Sequence, residues 1–212
     1  MTNKKSLEFW AFTANNASDA MQMIKFNPLN DHTQMDADFI MKYANMQTEI
    51  LDLGSGTGLI LNKIYDKVSY ICAVEPFEKF TKFIAVSNNI EIHNQTLMDF
   101  NSNKQFDVLT IFGVLHYFSE KEAIDIYQKY YPYLKKGGKM IVKNQFGVKE
   151  DVIVDGYSEE QQQNYFACYR HINKEQKILE TIGYKNIEIV DIYPPECNRW
   201  DNTHFYAIVA EK

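Results

Sequence analysis

Three carboxylates and one histidine stand where short apolar runs end, and a run of alternating glycines lies between the first two carboxylates. Asp52 sits within Ile50-Leu51-Asp52-Leu53, and Gly54-Ser55-Gly56-Thr57-Gly58 follows at once. Glycines at alternate positions let a backbone turn sharply and approach a ligand with no Cβ in the way. Glu75 closes the apolar run 69–74, Asp99 lies in the loop after 90–93, and His116 follows the run 106–112 through Gly113. A carboxylate placed like Glu75 can accept both hydroxyls of a ribose, at about 1.5–3 kcal/mol for each charge-assisted bond. A histidine titrates near neutrality and can take a proton from an attacking group. The other histidines are scattered without an i,i+4 pair, and Cys72, Cys168 and Cys197 form no C-x-x-C pair. No metal cluster is expected, and free thiols fit a cytoplasmic protein.

The elements that must hold these residues follow from periodicity. Residues 50–53 read as a buried strand, and the apolar run 59–64 at helical spacing predicts a helix beginning where the glycines end. Strand, glycine turn and helix make the first crossover of a doubly wound α/β sheet, whose loop is where such sheets hold nucleotide-like cofactors. Residues 69–74 give a second strand, and Pro76 opens a helix with Phe77, Phe80 and Ile84 as its buried stripe. Residues 90–93 give a third strand, and 106–112 a fourth that is apolar on both faces, as a central parallel strand should be. Ser119 and Glu122 form a capping box for a helix toward Tyr131, and a fifth strand spans 138–144. Asn173 caps a helix that Gly183 ends, and strands over 186–193 and 203–210 close the chain. Only a short loop joins these last two, so they pair antiparallel. The expected fold is α/β: a doubly wound, mostly parallel seven-stranded sheet with one antiparallel strand and helices on both faces. One domain is expected over 1–212, with 1–46 as a helical N-terminal lid that carries Phe9, Trp10, Phe12 and Phe26 and a helix over 33–45. Packing of its first helix on the domain edge is the alternative.

The dinucleotide pattern G-x-G-x-x-G would need glycine where Leu59 stands. G-x-G-x-G behind Asp52, with the order of elements after it, instead resembles motif I of the class I S-adenosylmethionine-dependent methyltransferases. The resemblance covers residues 48–212 and implies a Rossmann-like methyltransferase fold. It also implies S-adenosylmethionine as cofactor and S-adenosylhomocysteine as product. By the same resemblance Asp52 and the backbone of Gly54 and Gly56 would hold the aminocarboxypropyl end, with Ser55 and Gly58 also among the cofactor-binding residues. Glu75 with Pro76 and Phe77 would hold the ribose, Asp99 with Phe100 the adenine, and Gly113 would border the cofactor. The plainer readings are a loop-bonding acid at Asp52, a helix-initiating acid at Glu75, a turn residue at Asp99 and a core ring at Phe77.

The segment Gly113-Val114-Leu115-His116-Tyr117 lacks the Asn/Asp-Pro-Pro-Tyr found in many methyltransferases of DNA bases and protein glutamines, and is similar to small-molecule members. His116 is the candidate base for a hydroxyl acceptor; contact with the cofactor or support of its own loop is the alternative. Two insertions, 145–172 and 194–202, are the candidate acceptor regions. The first carries Tyr157, a Gln-rich helix, Tyr165, Tyr169, Arg170 and His171, and the second carries Arg199 and Trp200 and leads into His204. Tyr117 completes the candidate substrate-binding set. Arginines beside aromatics suit phosphate or carboxylate next to a ring. The expected reaction is methyl transfer to oxygen, rather than nitrogen, of a small polar acceptor, phosphorylated or sugar-nucleotide in type, as in surface-polysaccharide assembly. The net charge of −6 argues against nucleic acid as partner. A tRNA or protein methyltransferase and a non-catalytic cofactor-binding regulatory module are the alternatives. No run is long enough to span a bilayer and no leader is evident, so a cytoplasmic location with no membrane partner is expected. Oligomeric state is left open.

Overall fold

The computed structural model describes residues 2–23, 32–158, 163–198 and 200–212. The chain opens with α1 (Thr2–Asn16), a 3-10 turn at Ala20–Met23 and α2 (Thr33–Ile40), then enters the sheet with β1 (Glu49–Leu53) and β2 (Tyr70–Val74). α3 (Glu78–Thr81), β3 (Ile90–His93), β4 (Phe106–Phe112), α4 (Glu120–Tyr130) and β5 (Leu134–Gly147) follow. β6 (Val152–Ser158), β7 (Gln163–Tyr169), α5 (Ile172–Ile182), β8 (Lys185–Asp191) and β9 (Thr203–Glu211) complete it. Seven strands form one sheet in the order β3-β2-β1-β4-β5-β9-β8, mostly parallel, and β6 and β7 form a separate antiparallel hairpin. β9 runs against β8. Contacts divide the chain into two compact units, one of residues 1–12, 111–132 and 140–212 and the other of residues 13–110 and 133–139.

In the second of these units the core is the strands themselves. Ile50, Leu51, Leu53, Ile71, Ala73 and Val74 are wholly buried, which is why a run with no polar alternation becomes a central strand. β1 and β2 are in parallel register with Leu53 opposite Val74. The loops that follow them, the glycine turn and Glu75, therefore begin side by side. In the first unit, α4 carries the capping box expected for it: Glu122 N–H donates to the Ser119 hydroxyl and Ser119 N–H to the Glu122 carboxylate. Its buried stripe is Ala123, Ile126, Tyr127 and Tyr130. Gly183 ends α5 at a φ of +114°.

Two expectations are corrected. The helix after the glycine turn is two short 3-10 turns, Leu61–Lys63 and Tyr65–Lys67. The Asn62 side chain bonds the Phe83 carbonyl and the Ala85 N–H, and β-branched Ile60 and Ile64 add little helical preference to so short a span. The helix after Pro76 shrinks to the four residues of α3. The described residues of the 145–172 insertion around the expected Gln-rich helix form the β6–β7 hairpin, with Gln163 opening β7. Residues 161 and 162 of that stretch lie outside the described residues, as does Phe26. The β-branched and aromatic residues of Val152-Ile153-Val154 and Tyr165-Phe166 favour strand.

Gly58 and Gly113 separate backbone strain from close contact. Both have positive φ, +75° and +69°, but a Cβ on Gly58 would lie 2.7 Å from Ile84 Cγ1, while one on Gly113 would meet nothing within 4 Å. Gly58→Ala should therefore lose about 3 kcal/mol of stability and Gly113→Ala about 1 kcal/mol, measured by urea unfolding. Equal losses would show that the Ile84 contact yields freely.

Candidate active site

The glycine turn is built on its neighbouring strand. Gly54 and Ser55 donate N–H to the Val74 carbonyl at 2.8 and 3.2 Å, and Gly54 and Gly56 hold φ of +82° and +54°. Glu75, only 6% exposed, reaches back into this turn. Its Oε2 accepts Gly56 N–H at 3.0 Å and its Oε1 accepts Phe77 N–H at 3.1 Å. Each oxygen keeps lone-pair capacity for a further donor such as a ribose hydroxyl. Burial pushes its pKa up to about 7, against the backbone bonds from Phe77 and Gly56 that favour the charge. Asp52 is held by the Thr110 hydroxyl at 2.5 Å. Burial raises its pKa too, opposed by hydrogen bonds from Thr110 and Ser55. Thr57 Oγ1 donates to the Ala20 carbonyl at 2.8 Å and fastens the Ala20–Met23 turn to the glycine loop.

The remaining residues expected around a cofactor divide. Pro76 and Phe77 are half-buried, Phe77 lying edge-on to Phe80 at 5.8 Å. Asp99 is exposed, in a turn where it accepts the Thr96 hydroxyl. Phe100 is wholly buried, packed on His93 and Tyr133. It is a core side chain.

His116 lies in the other unit, on a 3-10 turn, Leu115–Tyr117. Its Nδ1 is 3.3 Å from Asn144 Oδ1 on β5. The ring stacks on Tyr169 at 5.3 Å and tilts against Tyr117 at 4.0 Å. The hydroxyls of Tyr165 and Tyr169 bond each other at 3.0 Å, and Trp200 Nε1 donates to the Tyr169 hydroxyl at 3.2 Å. From α1, Phe9 meets Tyr165 and Trp10 meets Tyr117, both edge-on, and the Ser6 hydroxyl donates to the Tyr117 carbonyl. The structure thus gathers Tyr117, Tyr165, Tyr169 and Trp200 around His116.

Arg170, His171 and His204 are engaged in bonds within the protein. Arg170 is 2% exposed and its guanidinium is spent internally. Nε and Nη2 bond Glu175 at 2.6 and 3.0 Å, and Nη1 donates to the carbonyls of Leu115 and Phe118 at 3.1 and 2.9 Å. Burial works against the Arg170 charge, but Glu175 outweighs it and holds the pKa above its ordinary value. The Tyr127 hydroxyl donates to the same carboxylate at 2.5 Å. His171 caps α5, accepting Asn173 N–H, and bonds the Val148 carbonyl. His204 is buried and bonds Asp191 at 2.7 Å. Arg199 lies outside the described residues. Thr110 and Asn144 were missed in the sequence, although each is a polar residue inside an apolar strand run.

A cavity of about 520 Å³ lies elsewhere, lined by residues that include Tyr43, Asp107, Lys135 and Lys139. Its Lys135 is already paired with Glu49 and Asp107 at 2.8 and 3.0 Å, so this is a solvated ion-pair cluster at the amino ends of β1 and β4. Among the described residues no group of His, Cys, Asp and Glu could hold a metal, and no helix is long and apolar enough to cross a membrane.

Residues 50–138 match the methyltransferase domain family. They include the glycine turn, Glu75 and His116. Over this span the chain is similar to methyltransferase domains. The residues present fit S-adenosylmethionine: a glycine-rich turn and a buried carboxylate with acceptor capacity to spare. The methyltransferase fold extends over the whole chain in comparison with solved structures. A Leishmania major SAM-dependent methyltransferase superposes with a TM-score of 0.75 at 13% identity, covering 100% of this chain and 83% of its own. DhpI in complex with SAH gives 0.72 at 13% identity, covering 99% and 96%. The 1,6-didemethyltoxoflavin-N1-methyltransferase of Burkholderia thailandensis gives 0.71 at 12% identity, covering 97% and 89%. At such identities the likeness is one of fold. No curated protein matches the chain in sequence.

Two predictions follow from the two buried carboxylates. Because Glu75 protonates near pH 7, affinity for S-adenosylhomocysteine should fall about tenfold from pH 8 to pH 6, as the acceptor charge is lost. The stability effect has the opposite sign: the raised pKa costs stability above about 7, and the cost is relieved as pH falls toward the ordinary 4.5. Calorimetric titration of wild type and Glu75→Gln across that range checks it; the variant should bind weakly and without the pH slope. Arg170→Ala, which strands Glu175 without its charge partner, should cost about 3–5 kcal/mol in chemical unfolding.

Proposed function

We propose that this methyltransferase transfers the methyl group to an oxygen of a small, polar, hydroxyl-bearing acceptor, with His116 as the general base. The observation that carries the reading is His116 held through Nδ1 by Asn144 among Tyr117, Tyr165, Tyr169 and Trp200. A hydroxyl must lose its proton as carbon bonds to oxygen, and an imidazole near neutrality suits that task. When bound, S-adenosylmethionine supplies a methyl already activated by its sulfonium. The chain's own work is to orient the acceptor, take the proton at His116 and exclude water. Glu75 and the glycine turn would hold the cofactor, with Asp52, Pro76, Phe77 and Asp99 as further contacts. Half-exposed Trp200 offers a ring face for stacking a planar or sugar acceptor. Internal use of Arg170 removes one argument for a phosphorylated acceptor, so phosphorylated sugars and nucleotide-sugars enter as one arm of the test, beside plain hydroxylated compounds. The acidic balance of the chain favours these over tRNA.

The test is a screen of such acceptors with S-adenosylmethionine carrying a carbon-13 methyl, read by NMR of the product. An O-methyl resonance supports the reading; an N-methyl resonance, or label in tRNA, overturns it. Tight S-adenosylhomocysteine binding with no turnover on any pool would favour the non-catalytic module. With an acceptor in hand, His116→Asn should lower kcat/KM by about 10²–10⁴ and leave S-adenosylhomocysteine affinity unchanged. An unaltered rate would remove His116 from the chemistry.

A further inference from the structure

We propose that Asn144 is a positioning residue for His116, fixing the imidazole proton on Nδ1 so that Nε2 is the nitrogen that receives the acceptor's proton. The inference rests on the reading of His116 as base and adds the device that makes it one. Asn144 is 2% exposed on β5, inside a run otherwise filled by Met140, Ile141, Val142 and Phe146. Its Oδ1 faces His116 Nδ1 at 3.3 Å. A side-chain amide oxygen only accepts, so Nδ1 must carry the hydrogen in that contact. Free histidine prefers the other tautomer, with hydrogen on Nε2, which offers no lone pair there. Asn144 thus selects the form that free histidine disfavours.

In this orientation the other half of the amide is left unmet, whereas the reversed amide would meet it. Asn144 Nδ2 is buried and has no hydrogen-bond partner within the protein. A buried donor left unmade is costly, and an apolar side chain of similar shape would avoid that cost. Packing therefore gives no reason for asparagine here, whereas the Nδ1 contact does. The orientation of the ring is fixed independently: Tyr169 stacks on it from β7, and Arg170 bonds the carbonyls of Leu115 and Phe118 on either side of the turn. Arg170, which bonds the carbonyls of this turn, is itself paired with Glu175. The reversed amide would set Nδ2 against Nδ1, put the hydrogen on Nε2 and leave no base, so the two orientations give opposite, measurable tautomers.

The experiment is long-range proton–nitrogen NMR of the full chain labelled with nitrogen-15 histidine, at pH 8, with His116 assigned by loss of its signals in His116→Gln. Wild type should show a protonated Nδ1 and an unprotonated Nε2. In Asn144→Leu the pattern should reverse to Nε2–H. In Asn144→Asp, which keeps the accepting oxygen and the shape, Nδ1–H should persist and the ring should titrate about one pH unit higher or more. A wild-type ring protonated on Nε2, or an Nδ1–H form that survives in Asn144→Leu, would overturn the proposal. Circular dichroism of the leucine variant reports folding, and the aspartate variant carries the test if that chain does not fold. No acceptor is needed, so the outcome is separate from that of His116 as base. The expected tautomers together with unimpaired methyl transfer by His116→Asn would retain Asn144 and dismiss the base.

Discussion

One buried carboxylate holds the cofactor face of this domain together. A charge taken from water is tolerated only where donors surround it, and Glu75 has two from the backbone, Gly56 N–H and Phe77 N–H. These bonds join the glycine turn after β1 to the turn after β2. They are possible because parallel register sets Leu53 beside Val74. The positive φ of Gly54, Gly56 and Gly58 is the backbone's side of the same constraint, since the turn must fold back far enough to present its amides. Burial, which raises the Glu75 pKa, shows that two donors do not fully replace water. A ligand that brings further hydroxyl donors relieves that deficit.

A second buried charge does different work. Arg170 faces no solvent; it ties Glu175 of α5 to the carbonyls that bracket His116 and Tyr117. Breaking a buried pair is far more damaging than the pair is stabilising, so the arrangement favours one geometry of the turn more than it adds to overall stability. Tyr127 adds a third bond to the same carboxylate from α4. The turn that carries the candidate base is thereby fastened to α4 and α5 as well as to the sheet.

What could be read in the sequence was local. The apolar strands, the capping box of Ser119 and Glu122, the glycine at the end of α5 and the antiparallel close of the chain depend on neighbours within a few residues. So does the glycine turn that revealed the family. The expectations that gave way depend on partners far off in the chain. Arg170 reads as an anion-binding arginine until Leu115, 55 residues earlier, is seen to receive it. Asn62 ends the expected helix through bonds to residues 21 and 23 positions away. Asp52 and Thr110 are 58 apart, His116 and Asn144 28 apart. A polar residue inside a buried strand is the local trace of such a partner. Both Thr110 and Asn144 leave that trace; neither names the partner.

The aromatic surroundings of His116 bear on the kind of acceptor that suits it. Tyr165 and Tyr169 turn their hydroxyls on each other, and Trp200 donates to the second of them. Most of the polar capacity of these rings is thus met within the protein, and what remains to offer a ligand is ring face and ring edge. Such a lining would exclude water, and so reduce its competition for the proposed base, but would discriminate poorly between acceptors of similar shape. An apolar pocket rejects a misplaced methylene or hydroxyl by only about 1–3 kcal/mol, whereas a site built to bond a substrate's polar groups rejects an analogue lacking them far more strongly. Among the residues around His116, Asn144 is the one whose donor the protein leaves unmet. Polar selectivity in this cluster therefore concentrates on the imidazole and the amide beside it, while the tyrosines and Trp200 set shape.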